Sequence, residues 1–129
     1  MGFHLDPESG VPIYRQIQDQ IRYGIACGTL RPGQQLPTVR AMAVELSVNP
    51  NTVIKAYSEL EREGILNTEQ GTGTFVSSQT PRLPKSRRDA KLRSLCSEFL
   101  AQLARYGFTA GEAVAAIERV VNGRSSDGQ

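Results

Sequence analysis

Residues 36–76 read LPTVRAMAVELSVNPNTVIKAYSELEREGILNTEQGTGTFV, and their patterning decides the fold. Val39, Met42, Ala43 and Leu46 recur at i, i+3, i+4 and i+7, the apolar face of a short helix. Thr38 stands before it as a helix-capping residue. Ser47-Val48 breaks the pattern. Asn49 and Pro50 then open another helix: Asn can accept a first-turn N–H, and Pro lacks a donor that would be orphaned there. Val53, Ala56, Tyr57 and Leu60 repeat the apolar spacing, and Gly64 supplies a left-handed end. Ile65–Thr68 and Thr74–Val76 read as two strands. Glu69-Gln70-Gly71-Thr72-Gly73 joins them, with glycines that permit positive φ.

On the N-terminal side, Ile13, Ile17, Ile21 and Ile25 form a helical stripe behind Pro12, and Gly28 ends it. Pro32-Gly33 makes a turn, and residues 1–10 read as a short polar arm. Beyond the hairpin, residues 79–88 hold Pro81, Pro84, serine and basic residues, the composition of a linker. From Asp89, Leu92, Leu95, Phe99, Leu103 and Tyr106 alternate spacings of three and four, close to a heptad seam, which Gly107 ends. Thr109-Ala110-Gly111-Glu112 is a capping box that starts a last helix, with Val114, Ile117 and Val121 on its apolar face. Two helices of this length cannot bury their apolar faces alone. Residues 89–122 therefore read as a homodimerisation region, with Leu92, Leu95, Phe99, Leu103 and Tyr106 in the interface. Residues 123–129 are polar and Gly/Ser-rich and read as a disordered tail.

Composition narrows the function. The chain has 129 residues, 39% hydrophobic and 22% charged, and a net charge of +2. No apolar run approaches the roughly 20 residues of a membrane span. No secretory signal opens the sequence, so a cytoplasmic protein without a membrane partner is expected. His4 is the only histidine, and Cys27 and Cys96 lie far apart. Metal sites, disulfide frameworks and Ser-His or Cys-His catalysis are poorly supplied. The pattern predicts no cofactor, no metal, no catalytic residues and no enzyme; redox chemistry at Cys96 stays open. Residues 1–80 carry six Lys/Arg against eight Asp/Glu, and residues 81–129 carry nine against five. Any nucleic-acid contact by the first segment must rest on local placement of charge, not on a bulk field.

Two helices joined by a tight turn and followed by a glycine-tipped hairpin can hold one helix in the major groove of double-stranded DNA, with a β-wing beside it. The fold class expected is mainly α with a small β-wing (α+β): a winged helix-turn-helix over 1–78, a linker over 79–88, and two C-terminal helices. The residues that carry this order, Leu36-Pro37-Thr38-x-Arg40-x-Met42-Ala43, Val48-Asn49-Pro50-Asn51-Thr52-Val53-x-Lys55-Ala56-Tyr57-x-x-Leu60-Glu61-x-x-Gly64 and Gly71-Thr72-Gly73-x-Phe75-Val76, resemble the GntR family. Pro12-Ile13-Tyr14-x-Gln16-Ile17 and Gly28-x-Leu30-x-Pro32-Gly33 match as well. These are bacterial winged helix-turn-helix transcription regulators. Most carry a large effector-binding domain after the wing. Residues 77–129 are too short for one and resemble the YtrA subfamily, small dimeric repressors often tied to ABC-transporter operons.

The resemblance implies a homodimeric repressor on an inverted-repeat operator, with an ABC-transporter operon as a target class and an unidentified small-molecule effector. Its DNA-binding residues would be Thr38, Arg40, Asn49, Asn51, Thr52, Lys55, Gly71, Thr72 and Gly73. Many relatives carry arginines where this chain has Pro50 and Ile54, so the readout shifts to Asn49, Asn51, Thr52 and Lys55. Asn can bond adenine bidentately, and free N–H groups in the first turn would suit a phosphate. Several have a plainer alternative: Thr38, Asn49 and Thr52 as helix caps, Arg40 solvated or paired with Glu45, the glycines as a simple turn; Tyr57 reads as core before contact. The rival for the whole chain is a winged-helix nucleic-acid or protein-interaction module without operator specificity.

Overall fold

The computed structural model describes residues 3–78 and 83–127. Helix α1 spans Ile13–Cys27, as its isoleucine stripe predicts. Ile17 and Ile21 are buried, and Ile13 and Ile25 pack at the margins of the core. Gly28 ends the helix at φ 82°, a conformation that costs glycine least. Leu30 then folds back onto Gly24, donating its N–H to the Gly24 carbonyl at 3.0 Å.

The N-terminal arm is bound more closely than its polarity suggests. The Gln16 side chain accepts from Asp6 N–H at 2.7 Å and donates to the carbonyls of Asp6 and Val11, both at 2.9 Å. Gln20 accepts from His4 N–H and donates to the His4 carbonyl. Phe3 and Leu5 pack against the core.

Helix α2 spans Val39–Leu46, and Thr38 caps it by accepting the Ala41 N–H at 3.0 Å. Its last turn closes on Ser47, a non-glycine residue at φ 56°. Helix α3 spans Pro50–Arg62, with Pro50 in its first turn and Asn49 as its cap. Val53, Ala56, Tyr57 and Leu60 are all buried. Gly64, at φ 80°, turns the chain so that Ile65 N–H reaches the Leu60 carbonyl at 2.9 Å.

Strands β1 (Leu66–Glu69) and β2 (Gly73–Val76) pair antiparallel, from Leu66 opposite Val76 to Glu69 opposite Gly73. Glu69 and Gly73 thus belong to the ladder, and only Gln70-Gly71-Thr72 forms the turn. The segment before α2 extends the sheet. Gln35 bridges to Phe75, Leu36 N–H bonds the Thr74 carbonyl, and Val76 N–H bonds the Gln34 carbonyl, each bond 2.8 Å. Leu36, Leu66 and Val76 carry the inner face of this layer into the core.

The chain divides into two compact units, Met1–Pro81 and Arg82–Gln129. In the second, α4 spans Lys85–Ala104 and α5 spans Ala110–Asp127. Lys85–Arg88 are therefore helical instead of linker, and residues 79–82 lie outside the described residues. Pro84 stands at the helix start, where proline is tolerated, and the basic residues behind it are good helix formers. Helix α5 likewise runs past residue 122, because the single Gly123 costs only about 1 kcal/mol and no proline follows. The remainder of the expected tail, 128–129, lies outside the described residues. Thr109 and Glu112 form the reciprocal capping box, Thr109 N–H to the Glu112 carboxylate at 3.1 Å and Glu112 N–H to Thr109 Oγ1 at 3.2 Å.

Tyr57 ties α3 to the segment that leads into α2. Its hydroxyl donates to the Pro37 carbonyl at 2.8 Å, just before α2 begins. Burial, aided by the Glu45 carboxylate, holds its phenol well above the ordinary value of 10.0. The unfolded chain gives up that proton first, so this contribution is intact below about pH 10 and is lost as pH rises further. Denaturant unfolding between about pH 9 and 12 should show stability falling with pH. Tyr57→Phe should flatten that slope while lowering stability at neutral pH by about 1 kcal/mol; an unchanged slope would assign the titration to another group.

Candidate nucleic-acid interface

Side chains on α3 sort by the 100° turn per residue. With Val53, Ala56, Tyr57 and Leu60 inward, Asn51 and Lys55 fall on the opposite face, and both are exposed. Thr52 lies to one side and is half-buried. Asn49 sits at the helix mouth, exposed.

The helix mouth differs from expectation in one respect. The Asn51 N–H is taken by the Asn49 side chain at 2.8 Å, and the Thr52 N–H by the Asn49 carbonyl at 2.9 Å. Pro50 has no N–H. These first-turn donors are satisfied internally and are not free for a phosphate. Any contact by Asn51 and Thr52 must come from their side chains, and Asn49 does the capping.

On α2, Thr38 is exposed at the cap and Arg40 is exposed in the first turn. Among the described residues Arg40 forms no ion pair. Glu45 lies five residues on, about 140° around the helix, so it faces elsewhere. Two apolar side chains that periodicity did not single out also stand in solvent, Val44 on α2 and Ile54 on α3. Ile54, 46% exposed, can offer a thymine methyl an apolar partner.

Lys55 has a partner invisible to local pattern. Its Nζ lies 4.1 Å from the centre of the Tyr14 ring on α1. One turn along, Gln18 donates to the Ala56 carbonyl at 3.2 Å and to Glu59 at 3.0 Å. A turn further, Arg22 Nη2 meets both Glu63 oxygens, at 3.0 and 2.8 Å. Residues 14, 18 and 22 of α1 thus face 55 and 59 of α3 and, at its C-cap, 63, and favour one rotation of α3 about its axis. On the wing side Thr68 donates to the Glu61 carboxylate and lies within reach of the Thr74 hydroxyl.

The wing tip is exposed at Gly71 and Thr72 and half-buried at Gly73. Its two glycines do different work. Gly71, at φ 80°, has open space where a Cβ would be. Gly73, at φ 138°, has the Gln35 amide against it, and an added Cβ would stand 2.6 Å from Gln35 Nε2. That same amide donates to the Thr72 carbonyl at 3.0 Å and ties the tip to the core side of the sheet.

In the second unit Leu92, Leu95 and Phe99 are 63%, 49% and 42% exposed on α4. Leu103 is half-buried. Tyr106 lies beyond the helix, in a turn that Gly107 closes at φ 83°. Its spacing from Leu103 continues the seam in sequence only. Leu100, Phe108 and, on α5, Val120 are further exposed apolar side chains that the seam omitted. Cys96 is exposed with them. Among the described residues, no three His, Cys, Asp or Glu side chains come together as a metal site, and no helix is long and apolar enough to cross a membrane.

A model of bacterial regulatory proteins of the gntR family matches residues 13–76. An HTH-type transcriptional regulator, YhcF of Bacillus subtilis, is 39% identical over 116 residues, covering 90% of this chain and 95% of that protein. The HTH-type transcriptional repressor YtrA of the same organism is 51% identical over 73 residues, covering 57% and 56%. Among solved structures, the DNA-binding domain of AraR in complex with operator ORX1 superposes with a TM-score of 0.52 at 33% identity, covering 57% of this chain and 92% of that one.

The glycine at the wing tip can be tested directly. Gly73→Ala should destabilise the first unit by about 1–3 kcal/mol, because it combines a strained φ with the contact on Gln35. Adding Gln35→Ala should recover only part of the loss, since the backbone strain remains. Full recovery in thermal unfolding would mean that the side-chain contact alone mattered.

Proposed function

The chain belongs to the GntR family, as a DNA-binding transcription regulator of the YtrA-like type, and on that premise we propose that it is a homodimeric repressor acting on an inverted-repeat operator. The observation that carries the reading is α3 itself. Val53, Ala56, Tyr57 and Leu60 are buried on one face, Asn51 and Lys55 are exposed on the other, and Arg40 on α2 and Gly71 and Thr72 at the wing tip are exposed as well. In the proposed complex α3 enters the major groove. The side chains of Asn49, Asn51 and Thr52 meet base edges or phosphates, Lys55 and Arg40 meet phosphates or guanine, and Thr38 anchors at the start of α2. Gly71, Thr72 and Gly73 bring the wing backbone to the flank. Repression follows from occupying promoter DNA in the cytoplasm, and an operon for an ABC transporter is the target class the subfamily suggests.

The dimer rests on the second unit. Leu92, Leu95 and Phe99 leave α4 with an apolar face in solvent, and Val114, Ile117 and Val121 do the same for α5. Covering these faces with a second copy gives a two-fold assembly, and two-fold proteins read two-fold DNA. A small-molecule effector would act by shifting the population of dimers whose spacing fits the operator.

Selection of bound duplexes from a random pool, at near-physiological salt, tests the operator. An enriched inverted repeat is the expected result. Retention of all sequences alike, vanishing as salt rises, would replace the operator with a sequence-blind nucleic-acid module, and no retention would point to protein contacts. Phe99→Glu should yield monomers by light scattering and lose the inverted repeat while keeping the first unit folded. A surviving dimer would move the interface off this face of α4.

A further inference from the structure

Lysine is a point charge on a flexible stem. Fixing it against a phosphate costs side-chain freedom. In this structure Lys55 is already held, by a ring on another helix. Tyr14 is half-buried and packed against the core, so its position is set by that packing and not by the lysine. The pairs Gln18–Glu59 and Arg22–Glu63 lock α1 to α3 one and two turns away. The third rung of that ladder differs in kind. It holds a cation on the outer face of α3, where the other two hold the helices together.

We propose that Tyr14 is a positioning residue for DNA recognition, its ring holding the Lys55 ammonium in place for the DNA backbone. The proposal rests on the reading that Lys55 touches DNA. A ring face attracts a cation without neutralising it, so the ammonium keeps its charge and its outward N–H donors for a phosphate. A carboxylate partner would do the opposite; Glu59, one turn on along α3, accepts from Gln18. Among the described residues Lys55 has no ion-pair partner.

The test is a double-mutant cycle on the duplex enriched by selection, using Tyr14→Phe, Tyr14→Leu, Lys55→Met and Tyr14→Leu with Lys55→Met. Tyr14→Phe should bind like the wild type, because the ring face is kept. Tyr14→Leu should weaken binding roughly two- to five-fold, and have no further effect once Lys55 is methionine. Lys55→Met should lower the salt slope by about one, whereas Tyr14→Leu should leave it unchanged. In the free protein, the Lys55 Cε protons should be shifted upfield by the ring, in the wild type and Tyr14→Phe but not in Tyr14→Leu.

The outcomes separate the two claims. If Lys55→Met binds with wild-type affinity and slope, the DNA contact is wrong and the positioning role falls with it. If Lys55→Met weakens binding but Tyr14→Leu loses the same factor in both backgrounds, the contact stands and the positioning role is overturned. The role is also overturned if Tyr14→Phe loses as much as Tyr14→Leu, which would assign the effect to the hydroxyl, or if Tyr14→Leu tightens binding, which would make the ring a competitor of DNA.

Discussion

On the proposed DNA complex, the first unit depends on one constraint: α3 must be held from one side only. A recognition helix that is gripped all round cannot enter a groove, and one that is not gripped has no fixed face. Val53, Ala56, Tyr57 and Leu60 meet this constraint by being buried, every one, on a single stripe. Burial of apolar side chains is strong but non-directional. It fixes that α3 is docked and leaves its rotation and slide to be set by polar contacts at the margins. Gln18 and Arg22 reach it from α1, Tyr57 reaches out to Pro37 ahead of α2, and Glu61 reaches Thr68 on β1. The register of the exposed face is therefore a property of three neighbouring elements as much as of α3.

The same economy explains the helix mouth. A helix start leaves N–H groups without partners, and these can bind an anion or be capped. Here Asn49 caps with both its side chain and its carbonyl, and proline removes another donor. Capping stabilises the helix by about 1 kcal/mol whether or not DNA is present. In the proposed complex sequence reading would then fall to side chains, which can tell bases apart, and not to backbone donors, which cannot.

The sequence carried whatever is periodic or local. The isoleucine stripe of α1, the caps at Thr38, Asn49 and Thr109 and the turn at Gly64 are local signals, and each is found where pattern puts it; the hairpin is found too, with its ladder shifted to Leu66–Glu69 and Gly73–Val76. What pattern could not show are polar pairs distant in sequence. Gln16 and Gln20 strap residues 4–11 to α1, so the arm reads as polar while being bound. Tyr14 and Lys55 are 41 positions apart, and nothing in either neighbourhood announces the other. Tyr106 keeps the spacing of the seam although α4 ends at Ala104. Spacing predicts a face only as long as the helix lasts, and the left-handed residue at Gly107 decides where that is.

The second unit inverts the balance of the first. Its helices have sound local signals, a proline at one start and a capping box at the other. Of their described side chains Ala113 is buried and Leu103 half-buried, while the larger apolar groups remain in solvent. Local signals of this kind contribute a few tenths of a kcal/mol to about 2 kcal/mol each, too little to order two helices that bury so little. On the proposed dimer, then, folding of this unit and association are one equilibrium, and stability rises with protein concentration. A two-fold operator adds a second link, because DNA that fits both first units favours the associated state. Whatever binds or loosens the helical faces must then change operator affinity by the same coupling free energy. On that proposal a signal can reach the operator through the stability of the dimer itself.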